Sequence, residues 1–483
     1  MSRTSMNAIL LPALLLAGCN LAPTYRPPAI ATIPSSFKEA PGWRAAAPSD
    51  AIKRGEWWAL FNDPALDALE RKVIVSNQNL AVAKAAYDQA RALVREQRAA
   101  LFPTVDASAG ATKAGSFGSA SPTVGTGTSA STSASSQRFS LSVGATWEPD
   151  LWGQIGNAVK QAGALAQASR SDLINATLSA QGELALDYVQ LRGLDMQKDI
   201  LTATVTAYDR SLTITNNRYN AGVVARVDVL QAETALRNAR ADLADLERQR
   251  ATLEHAIAVL IGENPSGFTL PATPWQRTVP DVPAILPSEL LERRPDVAAA
   301  ERRVAAANAA IGIQRAAFFP TIGLSGDVGS SSSSLGKLFS VASSVWSLGL
   351  TGALTLLDFG ARSAKVAEAR AAYEQTVAEY RQTALTAFQQ TEDQLVAVRV
   401  YGTVAQERAA AAVAANRAEA IARNQYVAGQ IGYADVIVAQ TTALSARTAD
   451  VQAVVNRQSA VISLIQAIGG RWGEAAGVAP PLH

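Results

Sequence analysis

One segment of this chain is too long for any ordinary globular domain, and it decides what the rest can be. After Pro149-Asp150-Leu151-Trp152-Gly153, about 70 residues run to Tyr219-Asn220-Ala221-Gly222 without a proline, rich in Ala, Leu, Gln and Arg. As a single helix this is a rod of roughly 100 Å at ~1.5 Å per residue. The rod is fed by a strand. Leu141, Val143, Ala145 and Trp147 alternate with Ser140, Ser142, Gly144 and Thr146, which gives one apolar and one polar face with a period of two.

The arrangement then recurs in the same order. Ala100-Leu101-Phe102-Pro103-Thr104 returns as Ala317-Phe318-Phe319-Pro320-Thr321, and Asp150-Leu151-Trp152-Gly153 as Leu357-Asp358-Phe359-Gly360. Tyr219-Asn220-Ala221-Gly222 returns as Tyr426-Val427-Ala428-Gly429, and Asp228-Val229-Leu230 as Asp435-Val436-Ile437. The first repeat is expected over 63–264, with a helix, strands at 103–113 and 138–149, a long helix at 150–221 and a returning helix at 226–262. The second is expected over 288–473, with a helix, strands at 320–329 and 345–357, a long helix at 358–428 and a returning helix at 434–468. A proline-rich connection over 265–287 joins them, and a disordered tail is expected over 474–483.

Residues 1–18 carry Arg3, an apolar run from Ala8 to Leu16 and then small residues, the pattern of a secretory signal too short to span a bilayer. Leu16-Ala17-Gly18-Cys19 resembles the lipobox of bacterial lipoproteins, so Cys19, the sole cysteine, is expected to be lipidated and to open the mature chain. Asn20 in place of Asp favours the outer membrane by resemblance to the bacterial sorting rule. A leash over 19–62 follows. Its stretch Leu21 to Pro28 is too proline-rich for helix or sheet and reads mostly as linker. At its end, Trp57-Trp58 reads as core packing, Asp63 as a helix cap and Pro64 as the first residue of a helix reaching to about Leu101.

Val105, Ala107 and Ala109 begin a strand, and Lys113 to Gln137, almost wholly Gly, Ser, Thr and Ala, reads as a long exposed loop. In the second copy Ile322 and Leu324, then a serine run, then Leu348, Leu350, Leu354 and Leu356 repeat the scheme, with Ser330 to Ser344 as its loop. Strands of about 10 residues with a Ser/Thr/Gly face suit a tilted span of a bilayer around a wet lumen. Four such strands cannot close a barrel, and an open edge in lipid leaves backbone groups unsatisfied. Closure has to come from further copies of the chain.

On these residues the mature chain resembles the outer-membrane factors of the TolC family, specifically the lipoprotein branch of OprM-like or NodT-like efflux ducts. The resemblance is carried by the leash after Cys19, the stretch from Trp57-Trp58 to Pro64 and Arg293-Arg294-Pro295-Asp296. The paired Phe-Pro-Thr strand starts and the two Tyr-x-x-Gly turns with Asp228 and Asp435 behind them complete it. It implies a predominantly helical mixed α and β fold. In it a homotrimer builds one 12-stranded transmembrane β-barrel continued by a periplasmic α-helical barrel. The implied partners are a periplasmic adaptor, an inner-membrane pump of the resistance-nodulation-division type and outer-membrane lipids. Small residues such as Ala364, Ala367, Ala369, Ala371, Ala372 and Ala378 fit the close helix packing of such a tube.

The implied function is a passive export duct for small toxic molecules. The alternatives are the channel of a type I protein secretion system, or a pore-less structural lipoprotein. An enzyme is disfavoured because the two histidines, His255 and His483, have no partners at metal-ligand spacing and no nucleophile motif stands near. A net charge of +2 without a basic cluster gives no reason to expect nucleic acid. No cofactor is expected beyond the lipid on Cys19. For the gate, Gly222 and Gly429 are expected to end the long helices in left-handed turns at the periplasmic tips, where Tyr219, Gly222 and Gly429 meet the adaptor. Asp228 and Asp435 then lie just inside the returning helices, either as helix caps or as a constriction ring made by symmetry. The resemblance implies that Tyr426 hydrogen-bonds near Asp228. With Ile431 and Val438 where some members carry charges, apolar contacts are expected to hold the closed tip more than ion pairs.

Overall fold

A computed structural model describes residues 20–30, 36–39, 56–115, 136–280 and 294–470. The signal peptide with Cys19, most of the first inter-strand loop, residues 281–293 of the connection and the tail lie outside the described residues. The helices are α1 (Pro64–Ser76), α2 (Gln78–Ala99), α3 (Gln154–Asn220), α4 (Arg226–Leu260), α5 (Pro295–Ala316), α6 (Ala361–Val427) and α7 (Tyr433–Ala467). The strands are β1 (Thr104–Ala114), β2 (Ser136–Trp147), β3 (Thr321–Ser332) and β4 (Ser344–Ala353). The two long helices α3 and α6 have 67 residues each, and the two returning helices α4 and α7 have 35 each.

The chain divides into two compact units, one holding residues 1–27, 88–167 and 302–378, the other 28–87, 168–301 and 379–483. The first contains a four-stranded antiparallel sheet in the order β1-β2-β3-β4, so that β2 pairs with β3 across the whole excursion of α3, α4 and α5. The strand-to-helix corners from β2 into α3 and from β4 into α6 are made by aspartates. Asp150 accepts from the Ile155 and Gly156 amides at 3.1 and 2.6 Å, and Asp358 accepts from Gly360 and Arg362. Gly153 and Gly360 hold φ of 75° and 93° at these corners, a left-handed conformation that a side chain would strain.

Three expectations for this unit are corrected. β4 ends at Ala353 rather than at 357, because its partner β3 begins at Thr321, the residue paired with Ala353. Leu354 and Leu356 continue the alternation with no strand to pair against. The segment from Ser330 to Ser344 is not a bare loop either. It contains 3-10 turns at Leu335–Lys337 and Val341–Ser343, buries Leu338, and is tied by hydrogen bonds from the Ser330 and Ser343 hydroxyls to the Leu338 carbonyl. The leash is docked rather than free. Asn308 Nδ2 donates to the Pro23 carbonyl at 2.8 Å, Arg315 to that of Leu21 at 3.3 Å, and a Cβ on Gly312 would come within 2.6 Å of Ala22 Cβ.

In the second unit, Asp63 caps α1 by accepting from the Ala65 and Leu66 amides at 2.9 and 3.3 Å, with Pro64 in the first turn. Trp57 and Trp58 are buried edge-to-face, with ring centroids 5.9 Å apart. The single helix expected up to Leu101 is broken at Asn77, whose side chain caps α2 through the Leu80 amide and donates to the Leu260 carbonyl at 2.7 Å. Asn competes with the backbone for hydrogen bonds, which is why it ends one helix and starts another.

The connection after α4 is held to the helices by buried ion pairs. Asp195 accepts from Arg192 at 3.0 Å and from Arg250 at 2.6 Å, while Arg250 also pairs with Glu254 and donates to the Leu270 carbonyl. Arg192 reaches the Pro271 carbonyl at 2.8 Å. Buried Gln458 on α7 donates to the carbonyls of Gln276 and Thr278 and accepts from Trp275. Arg294 of the Arg-Arg-Pro-Asp motif grips Asp296, the Ala467 carbonyl at the end of α7, and Gln390 on α6. A charged group buried with all these partners fixes one arrangement of the helices around it.

Candidate channel sheet and helix-turn tips

The register of the sheet sorts its residues onto two faces. Directly paired residues share a face, so Ala107, Val143, Val328 and Trp346 form one row and Ala145 and Gly326 with Val105 and Leu348 form the next. Phe139, Leu141, Trp147, Leu324 and Leu350 complete this apolar face. The opposite face carries Asp106, Ser108, Thr112, Arg138, Ser140, Ser142, Thr146, Ser325, Asp327, Ser347 and Thr351. Hydroxyls pair across it: Ser108 Oγ lies 2.9 Å from Ser142 Oγ and Thr104 Oγ1 2.8 Å from Thr146 Oγ1.

The apolar face is uncovered within the chain. Trp346, Leu348 and Leu350 are 80%, 78% and 74% exposed. Large apolar side chains in a contiguous exposed band, backed by hydroxyls and carboxylates, suit a wall with lipid on one side and water on the other. Aromatic residues gather where the strands meet the helices. Trp147 Nε1 donates to the Leu101 carbonyl at 3.0 Å, Trp152 Nε1 to that of Pro320 at 2.7 Å, and Trp152 stacks on Phe319 at 4.8 Å. Such amphipathic rings settle at a membrane–water boundary. Among the described residues, the outer edges of β1 and β4 have no strand partner.

The two helix tips of the second unit are built alike. Gly222 and Gly429 sit at φ of 74° and 75°, and each closes a long helix with paired backbone bonds. Gly222 N donates to Tyr219 O and Val223 N to Arg218 O, while Gly429 N donates to Tyr426 O and Gln430 N to Gln425 O. Neither following aspartate is a cap. The cap positions are Ala225 and Gly432, and Asp228 and Asp435 stand in the first helical turns, where the helix dipole favours a negative charge. Asp228 is half-buried and Asp435 exposed.

The side chains at the two tips differ. Tyr219 is 37% exposed, whereas its counterpart Tyr426 is 6% exposed and packs with Ala232, Tyr433 and Val436, flanked by Leu212, Ile431 and Ile437. Tyr426 and Tyr433 rings lie 5.3 Å apart, and the Arg218 guanidinium covers the Tyr426 ring at 4.6 Å while donating to its carbonyl at 3.0 Å. The expected hydrogen bond of Tyr426 near Asp228 is not made: the Tyr426 hydroxyl is buried without a hydrogen-bond partner. Its ring is held between Arg218 and Tyr433 instead. Burial, reinforced by the nearby Tyr426, Tyr208 and Asp228, pushes the Tyr433 hydroxyl up to about 12, although Ser211 opposes the shift. The sequence motifs of the tips do not include Arg218 and Tyr433. The signal for both was their departure from the other copy, which has Gln425 and Arg226 at the equivalent places.

A sheet with one lipid-fit face, one hydroxyl-lined face and two open edges, on a chain whose long helices end in paired turns, defines a channel-forming protein of the bacterial outer membrane. The chain belongs to the outer membrane efflux protein family, whose sequence profile matches residues 69–263 and 286–470, one segment in each repeat. The antibiotic efflux pump outer membrane protein ArpC of Pseudomonas putida is 30% identical over 477 residues, 98% of this chain and 97% of that protein. A toluene efflux pump outer membrane protein of the same species, TtgC, is 29% identical over 477 residues, with the same coverage. The solved structure of the outer-membrane channel OprN superposes with a TM-score of 0.85 at 28% identity, covering 94% of this chain and all of that one. The protein is thus the outer-membrane channel component of an efflux system.

Proposed function

We propose that three copies of the chain close their sheets edge to edge into one barrel and so form a passive duct for small apolar toxic molecules. The observation that carries this reading is the pair of open edges on β1 and β4 beside an uncovered apolar face. In lipid every strand must be paired, and a closed ring of copies satisfies both edges at once. The alanines of α6 support it: Ala364, Ala371, Ala372 and Ala378 are exposed in the single chain, so they are free for helices of neighbouring copies.

The duct takes its cargo from an inner-membrane pump of the resistance-nodulation-division type through a periplasmic adaptor, which meets the turns at Tyr219, Gly222 and Gly429. The cargo class is that of the relatives named for antibiotics and toluene. Cys19 carries a thioether-linked lipid and an acyl chain, and these aid delivery to the outer membrane. The cluster of Arg218, Tyr426 and Tyr433, with Asp228 beside it, holds the tip closed. Asp435, exposed in the first turn of α7, forms a three-carboxylate ring that attracts cations.

Reconstitution in planar bilayers tests the reading. Heat-resistant trimers that conduct, and whose block by multivalent cations weakens in Asp435→Ala, are the expected result. A monomer, or a trimer that never conducts, overturns it in favour of a structural lipoprotein.

A further inference from the structure

Beside the leash lies a cavity of about 480 Å³ whose lining the export reading leaves unused. Its walls are Leu21, Phe318, Phe319, Val366 and Ala367, with Ser363 and two arginines, Arg315 and Arg370. We propose that this groove binds an anionic glycerophospholipid of the periplasmic leaflet, with the phosphate between Arg315 and Arg370 and an acyl chain along the two phenylalanines.

The argument starts from depth. Phe318 and Phe319 immediately precede Pro320 and β3, and the first paired residues of the apolar face, Ile322 and Leu324, follow within a few positions. The groove therefore lies at the helix-side end of the sheet, next to the Trp152 ring stacked on Phe319. That is headgroup depth, where a lipid presents a phosphate on one side and a chain on the other. Charge is the second step. Arg362, close by, is spent on Asp358 and on the Phe318 ring, 5.2 Å from its guanidinium. Arg370 is exposed and makes no ion pair among the described residues, and Arg315 makes one long bond, 3.3 Å, to the Leu21 carbonyl. Two guanidinium groups on one apolar groove present paired donors that a phosphate can accept from together.

The alternative occupant is the chain's own lipid, since Leu21 stands two residues after Cys19. Fully acylated cysteine carries no charge and leaves both arginines unanswered. An anionic phospholipid satisfies the apolar wall and the arginines together.

The test uses the full-length trimer, exchanged into micelles doped with either phosphatidylglycerol or phosphatidylcholine and read by native mass spectrometry. Phosphatidylglycerol should be retained in preference to phosphatidylcholine. Arg370→Gln should lower that retention about fivefold, the factor one basic residue contributes at an anionic lipid surface. Arg370→Lys should restore part of it. Equal retention of the two lipids, or retention indifferent to Arg370→Gln, overturns the proposal and leaves an apolar groove only. If phosphatidylglycerol enters only in Cys19→Ser, the groove belongs to the chain's own lipid and the proposal is also wrong. Conductance and heat resistance of Arg370→Gln trimers read the export function separately, so failure of one reading is distinguishable from failure of the other.

Discussion

Truncating Tyr426 should open the tip, and removing its hydroxyl should not. The ring is 6% exposed, packs on Tyr433 at 5.3 Å and lies under Arg218 at 4.6 Å. Loss of a buried aromatic side chain to alanine costs about 3 kcal/mol at the low end of the usual range. Of this, the cation–ring contact supplies roughly 0.5–1 kcal/mol. A change of ~3 kcal/mol in a closed-to-open equilibrium shifts its ratio by about two orders of magnitude. Tyr426→Phe keeps the ring and discards a hydroxyl that has no hydrogen-bond partner, so its effect should stay within about 0.5 kcal/mol of zero. Arg218→Ala keeps both rings and loses the bond to the Tyr426 carbonyl, and should fall between them. Single-channel recordings should show frequent open events in Tyr426→Ala, fewer in Arg218→Ala, and the parent's own low open frequency in Tyr426→Phe. A Tyr426→Phe channel as open as Tyr426→Ala would refute the reasoning, because the hydroxyl would then be the holding group after all.

Three further perturbations probe the rest of the second unit. Arg250→Ala strips Asp195 and Glu254 of a partner and frees the Leu270 carbonyl; a loss of about 3 kcal/mol is expected, read as a lower melting temperature and faster proteolysis within 265–280. Asp187, half-buried and repelled by Glu183, is raised from 3.8 to about 6. The folded state thus holds this proton more tightly than the unfolded one, so stability is highest below about pH 4 and declines as pH rises through 6. Asp187→Asn should match the parent at pH 4, exceed it at pH 7.5 and abolish that slope; equal melting temperatures at pH 7.5 would contradict this. Glu70 is wholly buried, neither carboxylate oxygen has a hydrogen-bond partner, and burial followed by the nearby Asp67 pushes its pKa well up. Glu70→Met should therefore stabilise by about 1–2 kcal/mol in thermal melts, and a destabilised variant would mean that the carboxyl has a partner in the assembled protein.

The elements that sequence made legible are those governed by local period and local chemistry. Alternation over Leu141 to Trp147 placed β2, the proline-free runs placed α3 and α6, and the repeated Tyr-x-x-Gly placed the two left-handed turns. What escaped depends on a partner elsewhere in the chain. Helical periodicity runs through Asn77 without interruption, yet the helix breaks there because the Leu260 carbonyl, at the end of α4, accepts its amide. Leu354 and Leu356 keep the strand rhythm, but a strand lasts only as long as its neighbour, and β3 starts too late to pair them. The leash offered nothing but prolines; its docking is written in Gly312, Asn308 and Arg315 of α5. For Arg218 the divergence from Gln425 marks the position but not its role, since its partner carbonyl belongs to the other repeat.

That cross-repeat contact explains why the two copies have diverged where they have. Their helices kept equal lengths, 67 and 35 residues, as two hairpins that share one tube wall must. Their tips did not stay equal. The first copy supplies the cation, Arg218, and leaves Tyr219 in the open; the second supplies the rings, Tyr426 and Tyr433, and buries them. Had both tips carried the arginine, like charges would face each other across the contact and neither would hold the other. Unequal tips let one hairpin clasp its neighbour within the same chain. The clasp rests on a stacked guanidinium and apolar packing rather than on a carboxylate pair. In the proposed duct, an adaptor docking on exposed Tyr219, the residue next to Arg218, would compete locally for that guanidinium.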